Sequence, residues 1–130
     1  MKRSTWLLVG LAVLALGALA CSDEDDPAAQ LHGTWDITSV GSHHTWEPDG
    51  TWYVTFAGGG APYDFGTYTV EGSIVTFDTD PDSPECPQTT GSYEVTFIDA
   101  DTTSWELIDD ECIIRGVNVP RAPWERIGAQ

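Results

Sequence analysis

Two short stretches carry the side chains best suited to chemistry. His43 and His44 stand side by side, close to Trp46, Glu47 and Asp49, and imidazole nitrogens beside carboxylates are donors that zinc or copper sites use. Neighbouring side chains of an extended chain point to opposite faces, so two adjacent histidines rarely hold one ion. His32 lies at the far end of the preceding predicted strand, and no cysteine stands at ligand spacing. The pair reads as part of a solvated loop. Asp78, Asp80 and Asp82 alternate as the first ligands of a calcium loop do, but Pro81 interrupts the run. Neither the expected glycine nor the distal bidentate glutamate follows, so this too reads as a charged loop. Nucleophilic chemistry finds no better support. There is no Gly-x-Ser-x-Gly elbow, and Gly58-Gly59-Gly60 leads into no helix that would cradle a phosphate. Glu94 and Glu106 fall outward on neighbouring predicted strands, where two carboxylates repel mildly rather than exchange protons. The expectation is a non-enzyme, with no catalytic residue, no metal and no cofactor.

The elements that would position these residues are strands. Eight stretches, at 33–40, 51–57, 65–70, 73–78, 92–98, 103–108, 111–119 and 124–127, are rich in Val, Ile, Thr, Tyr, Phe and Trp and show the period-2 alternation of half-buried strands. Turn signals recur between them. Glu47-Pro48-Asp49-Gly50 opens the second strand and Glu71-Gly72 marks a two-residue hairpin. No stretch shows helical periodicity. Parity sets Trp35 and Ile37, Trp52, Val54 and Phe56, Tyr68 and Val70 on one face. The same face takes Val75 and Phe77, Tyr93, Val95 and Phe97, Trp105 and Leu107. Pairing Val70 with Ser73 would set Tyr68 opposite Val75 and keep both apolar sets together. One apolar and one polar face throughout suits an all-β, antiparallel, up-and-down eight-stranded barrel, which leaves no exposed edge.

The chain opens with an address. Lys2 and Arg3 precede an uncharged run from Leu7 to Ala20, shorter than the roughly 20 apolar residues of a membrane-spanning helix and suited to a secretory signal. It ends in Gly17-Ala18-Leu19-Ala20-Cys21. This resembles a bacterial lipoprotein box, with Ala18 standing where that family usually has Leu. The resemblance implies a signal peptide over 1–20, a lipidated Cys21 and an acidic tether over 21–30. Ser22 after the cysteine implies, by the same resemblance, an outer-membrane destination, on the periplasmic or surface face of a bacterial cell envelope. If Cys21 carries lipid, Cys86 and Cys112 remain as an even pair in an oxidising compartment, which points to a disulfide. Such a bridge would stabilise the fold by roughly 3–4 kcal/mol on the chain-entropy model. Beyond the signal, 21 acidic residues face three arginines, a net charge of −18. That surface repels nucleic acid and anionic headgroups, so the membrane would be met through the lipid anchor alone.

Further motifs recur in a definite order. Gly33-Thr34-Trp35, Asp49-Gly50-Thr51, Gly66-Thr67-Tyr68, Cys86, Gly91-Ser92-Tyr93, Asp110-Glu111-Cys112, Arg115 and Trp124-Glu125-Arg126 together resemble small bacterial lipocalin-like domains over nearly all of 31–130. The resemblance implies a calycin-type barrel in which an arginine near the last strand stacks across the first-strand tryptophan and plugs one end. Arg126 matches that position best against Trp35, with Arg115 the alternative. The helix that follows the barrel in typical lipocalins has no counterpart before Gln130. An eight-stranded barrel is just wide enough to be filled by its own side chains or to hold one small ligand, and both readings stand. In the second, Trp52, Phe56, Tyr68, Phe77, Tyr93 and Trp105 would line a cup for an apolar or aromatic molecule, the tyrosine hydroxyls serving as polar handles. The functional expectation is reversible binding of a small apolar ligand in the barrel mouth. The alternative is a non-catalytic envelope interaction module with a filled barrel, structural or inhibitor-like, contacting a protein partner through loops 41–50 and 57–64.

Overall fold

A computed structural model describes residues 26–37 and 40–128. The expected signal peptide, Cys21 and the first part of the acidic tether lie outside the described residues. Eight antiparallel strands, β1 Gly33–Ile37, β2 Ser42–Trp46, β3 Thr51–Phe56, β4 Asp64–Glu71, β5 Ile74–Thr79, β6 Thr90–Asp99, β7 Thr102–Asp110 and β8 Trp124–Gly128, pair in sequence order. β8 returns to β1 and closes the barrel, as alternation of apolar and polar faces requires.

The eight strands are not all the eight expected. β2 occupies Ser42–Trp46, read from sequence as loop, and it pairs with β1 and β3 along its whole length. Ser42, His44 and Trp46 point inward and are buried. Outside, Thr45 shares a hydroxyl hydrogen bond with Thr34, and His43 Nε2 stands 3.7 Å from Asp36. The alternation was hidden because serine and histidine occupy two of the three inward positions. Conversely, the strand expected at 111–119 is a helix, α2 Ile113–Asn118, continued by a 3-10 turn Val119–Arg121. Ile113, Ile114 and Val117 favour strand locally, but tertiary ties override that preference. Cys112 at the helix N-cap is bonded to Cys86, and its amide donates to Asp110.

A second helix, α1 Pro27–Leu31, covers the last four residues of the stretch read as tether and the first of the expected barrel domain. Asp26 caps it by accepting from the Ala28 amide, and Pro27 sits at its first turn. The β4–β5 hairpin turns one residue later than expected. Glu71 pairs with Ile74, Val70 with Val75 and Tyr68 with Phe77, so Gly72 and Ser73 form the turn. Gly72 adopts φ 60°, the left-handed conformation that mirror-image hairpin turns require. Moving the turn by one residue shifts each partner by two, so the faces stay as parity assigned them.

Within the barrel, Trp35, Trp46, Trp52, Trp105, Trp124, Phe77 and Tyr93 are almost wholly buried. Trp46 stacks 5.8 Å from Trp105, Phe77 meets Trp52 and Tyr93 edge-on, and Trp105 lies 4.6 Å from Trp124. His44 behaves as one more ring, 4.6 Å from Trp46 and 4.9 Å from Trp124. These offset and edge-to-face contacts are the arrangements aromatic quadrupoles prefer. Phe56 and Leu107, assigned inward by parity, are exposed.

Candidate functional site

The two barrel ends are built differently. At the end where α1 enters, the Arg126 guanidinium lies 4.4 Å from the Trp35 ring centroid, and the two residues pair directly across β8 and β1. Its Nη1 donates to the His32 carbonyl at 2.5 Å, Nη2 donates to the Gln30 carbonyl, and Nε stands 3.2 Å from Asp101. Trp35 Nε1 in turn donates to the Leu31 carbonyl. Tyr68 donates to the Glu47 carbonyl nearby, and burial, then the charges of Asp49 and Glu47, push its hydroxyl pKa up to about 12. This end is closed.

At the opposite end a cavity of about 470 Å³ opens above the packed rings. Its apolar wall comes from Ile37 and Val40 beside the β1–β2 turn, Val54 and Phe56 of β3, and Ile114 and Val119 around α2. Phe56 is 60% exposed and lies over the Tyr63 ring at 4.5 Å. Polar groups are set into the same wall. Ser42 and His44 come from β2, Tyr63 and Asp64 from the start of β4, Glu85 from the β5–β6 loop and Arg115 from α2. The disulfide between Cys86 and Cys112 ties that loop to the start of α2, joining two walls of the mouth.

Arg115 is buried and heavily engaged. Nε and Nη2 hold the two oxygens of Asp110 at 2.7 and 2.8 Å, Nη1 donates to Thr79 at 2.6 Å, and Nη2 also reaches Thr89. Its Cζ lies 5.4 Å from the Phe77 ring and 5.9 Å from that of Trp52. Burial works against its charge, but the hydrogen bonds and charge of Asp110 outweigh it and hold the pKa above the ordinary arginine value. Tyr93 donates to the same carboxylate, and burial together with Asp110 raises its hydroxyl pKa. Asp110 can point inward because of a glycine opposite. A side chain at Gly91 would place its Cβ 2.4 Å from the Asp110 carboxylate. Asp64 accepts from Ser83 Oγ at 2.8 Å, and Arg115 Nη1 stands 3.9 Å from its other oxygen. Burial pushes Asp64 up to about 6, opposed by the Ser83 hydrogen bond and the Arg115 charge. His44 is driven the other way. Burial, and then Arg115, lower its pKa to about 3, so the imidazole is neutral, and its Nε2 has no hydrogen-bond partner.

Among the six rings expected to line a cup, Phe56 borders this cavity. Trp52, Tyr68, Phe77, Tyr93 and Trp105 belong to the packed core below it. Trp35 and Arg126 meet at the closed end, while Arg115, the alternative partner, is at the other. His43 and His44 lie on opposite faces of β2, and among the described residues no three His, Cys, Asp or Glu side chains converge to hold a metal. The Asp80 carboxylate turns back to the Asp82 amide, and Asp78 accepts from Thr90. Sequence reading missed His44, Asp64 and Asp110 as inward groups. Parity extended from Trp46 and Tyr68 would have found the first two. Comparison with protein-family models, with curated proteins and with solved structures yields no match for this chain.

Proposed function

We propose that this chain is a lipid-anchored protein of the bacterial cell envelope that reversibly binds a small, mainly apolar molecule in the mouth of its barrel, without catalysis. The observation that carries the reading is the cavity of about 470 Å³ at the end of the barrel opposite Arg126. Ligand pockets span about 300–1,000 Å³, with mostly apolar walls and a few convergent polar groups. The filled lower barrel supports it, because the rings give the cavity a rigid floor. The anchor is supported by the Cys21 context alone. A fluorescent apolar probe, N-phenyl-1-naphthylamine, tests the reading. Saturable one-to-one enhancement is expected, and Val54→Trp, which fills the cavity, should remove it. No saturable change across a panel of apolar and aromatic compounds would overturn it.

A second reading has its own observation. Ile113 is 82% exposed, and Ile114, Val117 and Phe56 are also exposed around the mouth, an apolar rim that a protein partner would cover. Cross-linking to an envelope partner, with no small-molecule binding, would favour it.

A further inference from the structure

Apolar walls alone would accept many molecules, but the charges set into them are selective. The Arg115 guanidinium would be the obvious receptor for an anion. Four of its donor contacts already go to Asp110, Thr79 and Thr89, and a bidentate pair with a carboxylate is its best geometry. An incoming anion would have to displace Asp110. Asp64 differs. It is 4% exposed, it lies in the cavity wall, and its nearest cation stands 3.9 Å from Oδ2, beyond hydrogen-bond distance. Asp64 and Asp110 thus share one guanidinium, and Glu85 adds a third carboxylate to the wall. His44, 2% exposed in the same wall with Nε2 unpartnered, contributes no positive charge. The local balance is negative, and a net charge of −16 on the whole chain draws cations toward the mouth.

We infer that the molecule bound here is an amphipathic amine. Its apolar body packs on Ile37, Val54 and Val119, and its protonated amino group hydrogen-bonds to Asp64 with Glu85 alongside. This deepens the binding function proposed above and rests on it. The upward shift of Asp64 fits, since it marks a buried carboxylate that lacks a full counter-charge. The groups around it are Arg115 of α2, Glu85 and Ser83 of the β5–β6 loop, Tyr63 beside it on the chain and His44 of β2. Burial sets Asp64 to change charge near pH 6.

Three compounds sharing one cage test this with the full-length chain by titration calorimetry: adamantan-1-amine, adamantan-1-ol and adamantane-1-carboxylate. At pH 7.5 the amine should bind about tenfold or more tighter than the alcohol, the scale of a charge-assisted hydrogen bond, and the carboxylate weakest. At pH 5, with Asp64 protonated, the preference for amine over alcohol should vanish. Asp64→Asn should abolish the amine's advantage at pH 7.5, so that amine and alcohol bind alike at both pH values, and Glu85→Gln should reduce the pH 7.5 advantage by a smaller factor. Equal binding of all three would leave the apolar cavity standing and overturn the amine assignment. Tighter binding of the carboxylate would overturn it in favour of Arg115. Binding of none would overturn both the cavity function and this inference.

Discussion

The guanidinium of Arg126 holds the carbonyl of His32, 94 residues earlier in the chain, while its carbon sits over the Trp35 ring. A planar fork suits both tasks at once, and an ammonium does not. Arg126→Ala should therefore cost about 2–3 kcal/mol, combining a lost cation–π contact with carbonyls left unpaired, and Arg126→Lys should recover little of it. Urea denaturation reads the loss, and ligand affinity at the far end should stay unchanged. If binding disappeared while the melt did not move, the residue would belong to the site rather than to the closure. Asp64 makes the contrasting case. Its folded pKa, about 6, lies above the ordinary aspartate value of 3.8, so the folded state holds this proton more tightly than the unfolded chain. Below pH 3.8 the two states are equally protonated and the group is neutral to stability. As pH rises from there through 6, ionisation costs progressively more in the folded state. Asp64→Asn should therefore raise the melting temperature at pH 7.5 and change it little at pH 3.5. Equal shifts at both pH values would show that the carboxylate's charge is not what burial penalises.

At the scale of elements, α2 and the β5–β6 loop hold the mouth together through one covalent link. Cys86 and Cys112 are 26 residues apart, and opening that loop should cost roughly 3–4 kcal/mol on the chain-entropy model. In a domain of about 100 residues this lowers the melting temperature by well over 10 °C. Cys86→Ser should show the drop by calorimetry and loosen the apolar cavity, while the closed end keeps its hydrogen-exchange protection; an unchanged melt would count against the bridge. These same elements explain what was legible beforehand. Strands whose inward residues are aliphatic or aromatic, such as Trp52 and Val54 or Val75 and Phe77, announce themselves by period. β2 did not, because His44 enters the core as a neutral ring, and single residues do not reveal their protonation state. α2 was illegible for another reason: its isoleucines favour strand, and the ties that hold it, the Asp110–Arg115 pair and the disulfide among them, are tertiary. Asp110 itself escaped parity. Ser92 pairs with Asp109 and Tyr93 with Leu107, so Ile108 is the extra residue of a bulge that turns Asp110 inward. A one-residue insertion of this kind re-aims every later side chain, and nothing in the local sequence marks it.

Across the whole molecule, the chain enters at the plugged end, where α1 and Arg126 lie, and the cavity opens at the other. Four residues lie between Cys21 and Asp26, so the five steps from one to the other reach at most ~18 Å. An acyl chain on Cys21 would therefore hold the closed end beside the bilayer and direct the mouth away from it. The barrel offers the membrane little attraction of its own. Anionic headgroups repel a net charge of this sign, a repulsion that salt screens progressively as the Debye length falls from about 10 Å at 0.1 M to about 3 Å near 1 M. On the proposed function, anchoring would hinge on one residue. Cys21→Ala is expected to shift the protein from the membrane pellet to the soluble fraction at low salt and at 1 M salt alike, since salt weakens charge contacts but not an inserted acyl chain. Persistence of the variant in the pellet would mean that the exposed Ile113, Ile114 and Val117 of α2 make the contact instead. That outcome would invert the orientation and turn the cavity toward the lipid.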